Sequence, residues 1–201
     1  AKAIGPTLGR DVNTHFGDMS KGIVNCTSML GSSLNVVMGV AMSLKLRKMP
    51  GVAITWIGDG GQTNGYFHEG MNMAAVKKLP FICVIENNGY AYSTPTDEQF
   101  AAGTELWRRA AGYQMEGMAL DCTGDTLNTL RQLAAIIERV RTTSRPVLVE
   151  AKVVRLRGHA AYDTGDYLRP GEAEAFLARD PLPKLRARLV TEIGEARVAE
   201  T

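Results

Sequence analysis

Cysteine is scarce in this chain: three in 201 residues, Cys26, Cys83 and Cys122, an odd number with no Cys-x-x-Cys pair. That excludes a disulfide framework and a thiolate zinc ribbon, and reduced thiols are expected. No apolar run approaches the ~20 residues of a membrane-spanning helix, and Ala1 to Asp11 holds no signal-peptide core. A soluble, intracellular chain is therefore expected, in the cytoplasm and away from membranes. Charge of one sign is lacking too, since 23 Lys and Arg face 21 Asp and Glu for a formal +2. The cations are scattered, with no basic stripe, so no nucleic-acid partner is expected. Asn25-Cys26-Thr27 matches a glycosylation sequon, but without a secretory signal the match is read as chance.

The common phosphate and zinc signatures are also missing. No Gly-Lys-Ser or Gly-Lys-Thr occurs, which excludes a Walker loop. After Gly58-Asp59-Gly60 the third glycine of a dinucleotide fingerprint is replaced by Thr63. His68-Glu69-Gly70-Met71-Asn72 begins like a zincin helix and ends in Asn, so zinc is rejected there.

What is present is a 45% apolar composition over 201 residues, enough for one α/β core burying roughly 70% of the unfolded surface. A single domain over 1–201 is expected. Val52 to Ile57 and Phe81 to Ile85 are short apolar runs rich in β-branched residues, as buried parallel strands are. Between them Tyr66 to Lys78 carries strong helix formers and stops before Pro80. The unit is β-α-β. A helix is expected over Ser33 to Lys48, with Leu34, Val37, Met38, Ala41, Leu44 and Lys45 at three- and four-residue steps. Another is expected over Thr126 to Arg141, capped by Asp125 and feeding a strand over Val147 to Val154. Residues 155–170, polar and glycine-containing, are expected to be a loop. From 171 onward two helices are expected, separated by Pro181 and Pro183. The fold class is thus α/β, a mainly parallel sheet flanked by helices. Met29, Met38, Met42, Met71 and Met73 are read as core fillers.

Within that frame the most informative pattern is Gly58-Asp59-Gly60, then 26 residues, then Asn87-Asn88. A right-handed crossover sets the two strands side by side, roughly 5 Å apart, so Asp59 and Asn88 converge at the carboxyl edge where open α/β sheets bind ligands. One carboxylate and one amide oxygen suit magnesium, which takes a few protein oxygens and leaves the rest to water and phosphate. Gly58, Gly60 and Gly61 let main-chain N–H groups approach phosphate oxygens, beside the positive end of the next helix. Gly-Asp-Gly alone is an ordinary tight turn; with the paired asparagines and the crossover, it points to a magnesium diphosphate.

These residues carry a resemblance. Phe67-His68-Glu69-Gly70, Asn72-Met73-Ala74-Ala75, Lys78-Leu79-Pro80 and Glu86-Asn87-Asn88-Gly89-Tyr90-Ala91-Tyr92-Ser93-Thr94-Pro95, with Gly31-Ser32-Ser33-Leu34 upstream and Arg157-Gly158-His159 downstream, are similar to the alpha subunits of thiamine-diphosphate-dependent 2-oxo acid dehydrogenases. The likeness runs from about Gly9 to Pro183 and implies a thiamine-diphosphate-binding fold of the diphosphate-domain type. It implies Asp59, Asn88 and the carbonyl of Tyr90 as Mg2+ ligands, and Gly58, Gly60, Gly61 and Ala91 against the cofactor. Ser28 and Leu30 would meet the aminopyrimidine, and His159 would be the active-site histidine near the diphosphate and reacting carbon. The loop 155–170 would be mobile and order on cofactor binding, with Asp163 and Arg169 fixing it.

The resemblance further implies a beta subunit supplying the pyrimidine half-site and activating glutamate, in an α2β2 or related oligomer. A lipoyl-bearing acyltransferase would take the acyl group after oxidative decarboxylation of a 2-oxo acid. The isolated chain is then expected to turn over negligibly. Ala160 stands where regulated mitochondrial relatives carry a phosphorylated serine, so kinase control there is not expected. Family subunits usually carry, ahead of Gly9, helices and groups facing the 2-oxo acid, which leaves substrate choice open; Thr14-His15-Phe16 matches only in part, and His15 stays outside the site. Two other readings remain: an acetoin-cleaving or transketolase-like half-subunit, and a non-catalytic cofactor-holding or assembly subunit.

Overall fold

The computed structural model describes residues 17–25, 27–101 and 105–199; Gly9, His15 and Cys26 lie outside them. Among the described residues there are six strands: β1 (Ala53–Gly58), β2 (Phe81–Asn87), β3 (Tyr90–Ala91), β4 (Thr94–Pro95), β5 (Glu116–Asp121) and β6 (Val147–Lys152). Four form one parallel sheet in the order β1-β2-β6-β5, and β3 and β4 form a small antiparallel hairpin. The helices are α1 (Ser32–Leu46), α2 (Gly65–Lys77), α3 (Thr96–Gln99), α4 (Thr126–Thr143), α5 (Glu172–Ala178), α6 (Pro181–Ile193) and α7 (Glu195–Ala199), with 3-10 turns at Met19–Lys21, Gly60–Thr63 and Leu106–Tyr113. No described helix is long and apolar enough to cross a membrane.

The continuous apolar run of β2 is explained by burial on both faces. Phe81, Cys83 and Ile85 join Leu34, Phe67, Met71, Leu106 and Leu148 in one cluster, under α1, α2 and the Leu106–Tyr113 turn. Ile82 and Val84 join Leu120, Ile136, Val140, Val147 and Val149 in the other, under α4. Each large side chain so buried contributes roughly 1.5–3 kcal/mol.

The expected boundaries move for local reasons. β1 begins one residue later and reaches Gly58, which pairs with Glu86. β2 runs on to Asn87 because that polar residue still pairs with Lys152, and β6 ends there as its partner strand ends. α1 stops at Leu46, short of Lys48, whose φ of 55° is left-handed. α2 is capped by Asn64, whose Oδ1 accepts from Tyr66 N at 3.0 Å, and closes on Lys78 in the left-handed region rather than on Pro80. α4 forms where expected, with Asp125 Oδ1 accepting from Leu127 N and Asn128 N.

The pattern did not reveal α3, α7, the β3–β4 hairpin, the Leu106–Tyr113 turn or β5, and of these the last two bear most on the sheet. They interlock: a Cβ on Gly117 would stand 2.3 Å from Trp107 O and 2.7 Å from Ala110 Cβ. Three expectations are corrected: Met29 and Met73, read as core fillers, are 63% and 40% exposed, the two helices expected from 171 are three, and the break between the first two moves. Pro181 and Pro183 do not separate two helices; both lie in the first turn of α6, where a missing N–H costs nothing. The break falls at Arg179 and Asp180, and Asp180 caps α6 through Leu182 N.

Candidate cofactor and metal site

The parallel register of β1 and β2 ends both strands at one edge, so the residue after β1 meets the residue after β2. Asp59, 2% exposed, opens the Gly60–Thr63 turn. Its Oδ1 accepts from Gly60 N at 2.7 Å and its Oδ2 from Asn88 N at 3.2 Å. Residues 29 apart in sequence are thereby joined, as the spacing predicts. Burial pushes the Asp59 carboxyl above its ordinary range, against the pull of the Gly60, Asn88 and Gly89 N–H groups and Arg155. A cation at this edge would oppose that effect.

Asn88 Oδ1 accepts from Tyr90 N at 3.0 Å, and Asn87 Oδ1 accepts from Gly89 N at 3.0 Å. Two successive Asx turns fold the chain over into β3, with Gly89 at φ 89°, a conformation that favours glycine. Tyr90 is buried, and its hydroxyl donates to Glu172. Burial first, and the Glu172 carboxylate second, raise the Tyr90 phenol above its ordinary value. Gly60 and Gly61 are closely faced: a Cβ would stand 2.4 Å from Ala91 Cβ at the first and 2.8 Å from Ile57 Cγ1 at the second. Gly58 has open space around it.

Residues 155–170 contain no helix or strand and fold back on the β3–β4 hairpin. Arg155 donates to Tyr92 O at 2.8 Å and to the Tyr167 hydroxyl, and its guanidinium lies 5.6 Å from the Tyr90 ring centre. The exposed His159 ring meets Tyr92 edge-on at 5.0 Å. Asp163 organises the loop by accepting from His159 N at 2.5 Å, Gly165 N at 2.9 Å and Tyr167 Oη at 2.8 Å. Arg169 holds Asp97 through two bonds of 3.1 and 2.9 Å.

Asp59, Gly60, Gly61, Asn88, Tyr90 and Ala91 are thus assembled at one edge, and His159 adjoins them through Tyr92. Ser28 and Leu30 take no part in the hydrogen bonds joining Asp59, Asn88 and Tyr90. They sit at the surface just before α1, Leu30 69% exposed, while Gly31 lies against Asn64 and Tyr66. Sequence reasoning missed Arg155, Tyr92 and Glu150; a lone acid inside the apolar Val147-Leu148-Val149 run was the available signal for Glu150.

Among the described residues no cluster of three or more His, Cys, Asp or Glu side chains is placed to hold a metal. The set at the sheet edge is different: one carboxylate, one amide oxygen and one main-chain carbonyl. These are hard oxygen donors, too few to enclose an ion, and they fit magnesium shared with phosphate and water. The close approach at Gly60 and the buried Asp59 agree with that fit.

Fold and site together define a parallel α/β protein with an oxygen-donor site at the carboxyl edge of its sheet. The chain belongs to the dehydrogenase E1 component family, whose profile matches residues 6–198. It is 37% identical over 190 residues to the alpha subunit of acetoin:2,6-dichlorophenolindophenol oxidoreductase from Cupriavidus necator, covering 94% of this chain and 56% of that one. It is 35% identical over 191 residues to the alpha subunit of 2-oxoisovalerate dehydrogenase from Bacillus subtilis, covering 94% and 57%. A chloroplastic pyruvate dehydrogenase E1 component subunit alpha-3 from Arabidopsis thaliana is 29% identical over 195 residues, covering 94% and 45%. The chain spans about half the length of these relatives.

Proposed function

We propose that this chain forms the diphosphate-holding half of a thiamine-diphosphate-dependent 2-oxo acid dehydrogenase, an alpha-type subunit that works with a beta subunit and passes an acyl group to a lipoyl-bearing acyltransferase. The observation that carries the reading is the joining of Asp59 and Asn88 at the ends of β1 and β2, over the closely packed Gly60 and Gly61.

When bound, thiamine diphosphate supplies a carbon nucleophile and an electron sink for breaking the bond beside a carbonyl. The chain's own residues do the rest of the work on this side. Asp59, the Asn88 amide oxygen and the Tyr90 carbonyl would hold magnesium, which would supply the positive charge that a diphosphate needs there. Gly60 and Gly61 admit main-chain N–H groups to phosphate oxygens. His159 would position or exchange protons during acyl transfer, a contribution typically worth about 10²- to 10⁴-fold. The loop 155–170, already held by Asp163 and Arg169, would gain further order over the cofactor. Ser28 and Leu30 brace the pyrimidine side. The beta subunit would supply the activating acid at the pyrimidine, so turnover needs that partner, in an α2β2 or related assembly.

A second reading, cleavage of acetoin, is favoured by the 37% identity to an acetoin oxidoreductase alpha subunit. The two separate in one experiment: reconstitute the chain with a beta-type partner and measure reduction of a dye acceptor with 2-oxo acids and with acetoin. Activity on branched or short 2-oxo acids supports the first reading and activity on acetoin alone the second. Activity on neither, with cofactor bound, leaves only a cofactor-holding role and overturns both.

A further inference from the structure

Glu150 lies in the middle of β6, paired in register with Ile85 of β2 and Ala119 of β5, and is fully buried. No salt bridge to it occurs among the described residues. Its two oxygens accept from two elements instead: Oε1 from Asn87 Nδ2 at 2.8 Å and Oε2 from Trp107 N at 3.1 Å. A charged-type side chain inside a four-stranded sheet is costly to keep, and its partners indicate what it does.

Asn87 spends its amide group on Glu150 and its carbonyl oxygen on Gly89 N at 3.0 Å. The amide therefore has one workable orientation. Turned over, it would aim NH2 at the Gly89 N–H and oxygen at the carboxylate, setting donor against donor and acceptor against acceptor. Gly89, at φ 89°, is the pivot of the turn: its carbonyl accepts from Thr96 N at 2.9 Å, and on either side stand Asn88, bonded to Asp59, and Tyr90, bonded to Asn88. A relay of defined polarity thus runs from Trp107 N–H through Glu150 and Asn87 to the Gly89 N–H.

We propose that Glu150 is a positioning residue that fixes the Asn87 amide and, through the Gly89 N–H, sets the turn presenting Asn88 Oδ1 and the Tyr90 carbonyl to the metal. The metal role rests on the functional reading above; the control of the turn does not. Outer partners that orient metal ligands typically carry about 10- to 100-fold in metal affinity, and Glu150 would act one residue further out, through Asn87.

The polarity of the relay provides the test. Asn87→Asp sets a carboxylate against Glu150 Oε1. Adding Glu150→Gln reverses donor and acceptor: the new amide's NH2 donates to the carboxylate introduced at position 87, and its oxygen still accepts from Trp107 N. The introduced carboxylate also still accepts from Gly89 N, so the three hydrogen bonds of the relay are restored. The expected result is that N87D weakens magnesium-dependent thiamine diphosphate binding by about 10- to 100-fold, measured by calorimetry on the full chain with its beta subunit where binding needs one. The N87D/E150Q pair returns to within about threefold of the wild type. In the cofactor-free chain, Gly89 amide exchange followed by NMR speeds up roughly tenfold in N87D and recovers in the pair. A residue that merely stabilised the core would lower melting temperature and leave the affinity of the folded protein unchanged. A double variant as weak as N87D, or N87D exchange and affinity equal to wild type, overturns the proposal. If the wild type binds no thiamine diphosphate, the functional reading fails and the Gly89 exchange arm alone decides the positioning role.

Discussion

The closeness of Gly60 to the β3–β4 hairpin yields a quantitative test. In Gly60→Ala the new Cβ would start 2.4 Å from Ala91 Cβ, whereas ordinary contacts begin near 3.4 Å, so the Asp59 loop and the hairpin must part by about 1 Å. Neither side yields easily, since the loop is tied to Asn88 N through Asp59 and the hairpin is tied to Arg155 through Tyr92 O. Overpacking of this kind costs about 1–3 kcal/mol. The same separation moves Asp59 away from Asn88 and Tyr90, and displacements of this size between cooperating groups cost roughly 100-fold. The remedy is specific: Ala91→Gly removes the opposing methyl, and the nearest atoms to the new Cβ are then Ala91 Cα and Gln99 Oε1, both at 3.5 Å. Urea unfolding of the wild type, both single variants and the double variant should show a coupling energy of about 1–3 kcal/mol in favour of the pair. Thiamine diphosphate titration should show G60A affinity recovered by A91G. Additive stabilities within about 0.5 kcal/mol would refute the packing argument, and intact binding in G60A would remove these glycines from the cofactor floor.

Other outcomes follow from individual groups. Burial raises Asp59 above 3.8 in the cofactor-free chain, so its favourable contribution is complete below 3.8 and is lost as pH rises through the elevated folded value. Asp59→Asn should therefore gain in melting temperature relative to wild type as pH rises from below 3.8 through the elevated folded value, while losing magnesium binding; a difference independent of pH refutes this assignment. Burial likewise pushes the Cys83 thiol far up, whereas Cys122 is only partly buried. A disulfide reagent should reach Cys83 only after unfolding, with mass-mapped labelling in native buffer as the contrary result. Asp163→Ala removes three hydrogen bonds from the 155–170 loop, and limited proteolysis there should quicken about tenfold or more, unlike cleavage elsewhere.

The parts that were readable from sequence are those in which chemistry and period coincide. β1, α2 and β2 announce themselves by apolar runs and a helix-forming segment between them, and α4 by its stripe and Asp125 cap. The Asp59–Asn88 pairing follows from that unit alone, because adjacent parallel strands joined by a crossover end at the same edge of the sheet, here within one residue of each other. β5 was hidden because most of its residues are not buried and its place depends on Gly117 fitting beneath Trp107 and Ala110. The β3–β4 hairpin turns through Tyr92 at φ 55°, a position that no glycine marks. Arg155 and Glu150 act through contacts with residues 63 positions away, so no local pattern could expose them. Pro181 and Pro183, usually breakers, here begin a helix, since only the start of a helix tolerates them.

The central claim is that Asp59, Asn88 and Tyr90 hold a cation that anchors thiamine diphosphate. The most direct measurement is a calorimetric titration of the chain, alone and with a beta subunit, with thiamine diphosphate in magnesium and again in chelator, for wild type and Asn88→Ala. Binding that needs magnesium and is lost in the variant is the predicted result; binding indifferent to both the chelator and the substitution would contradict it.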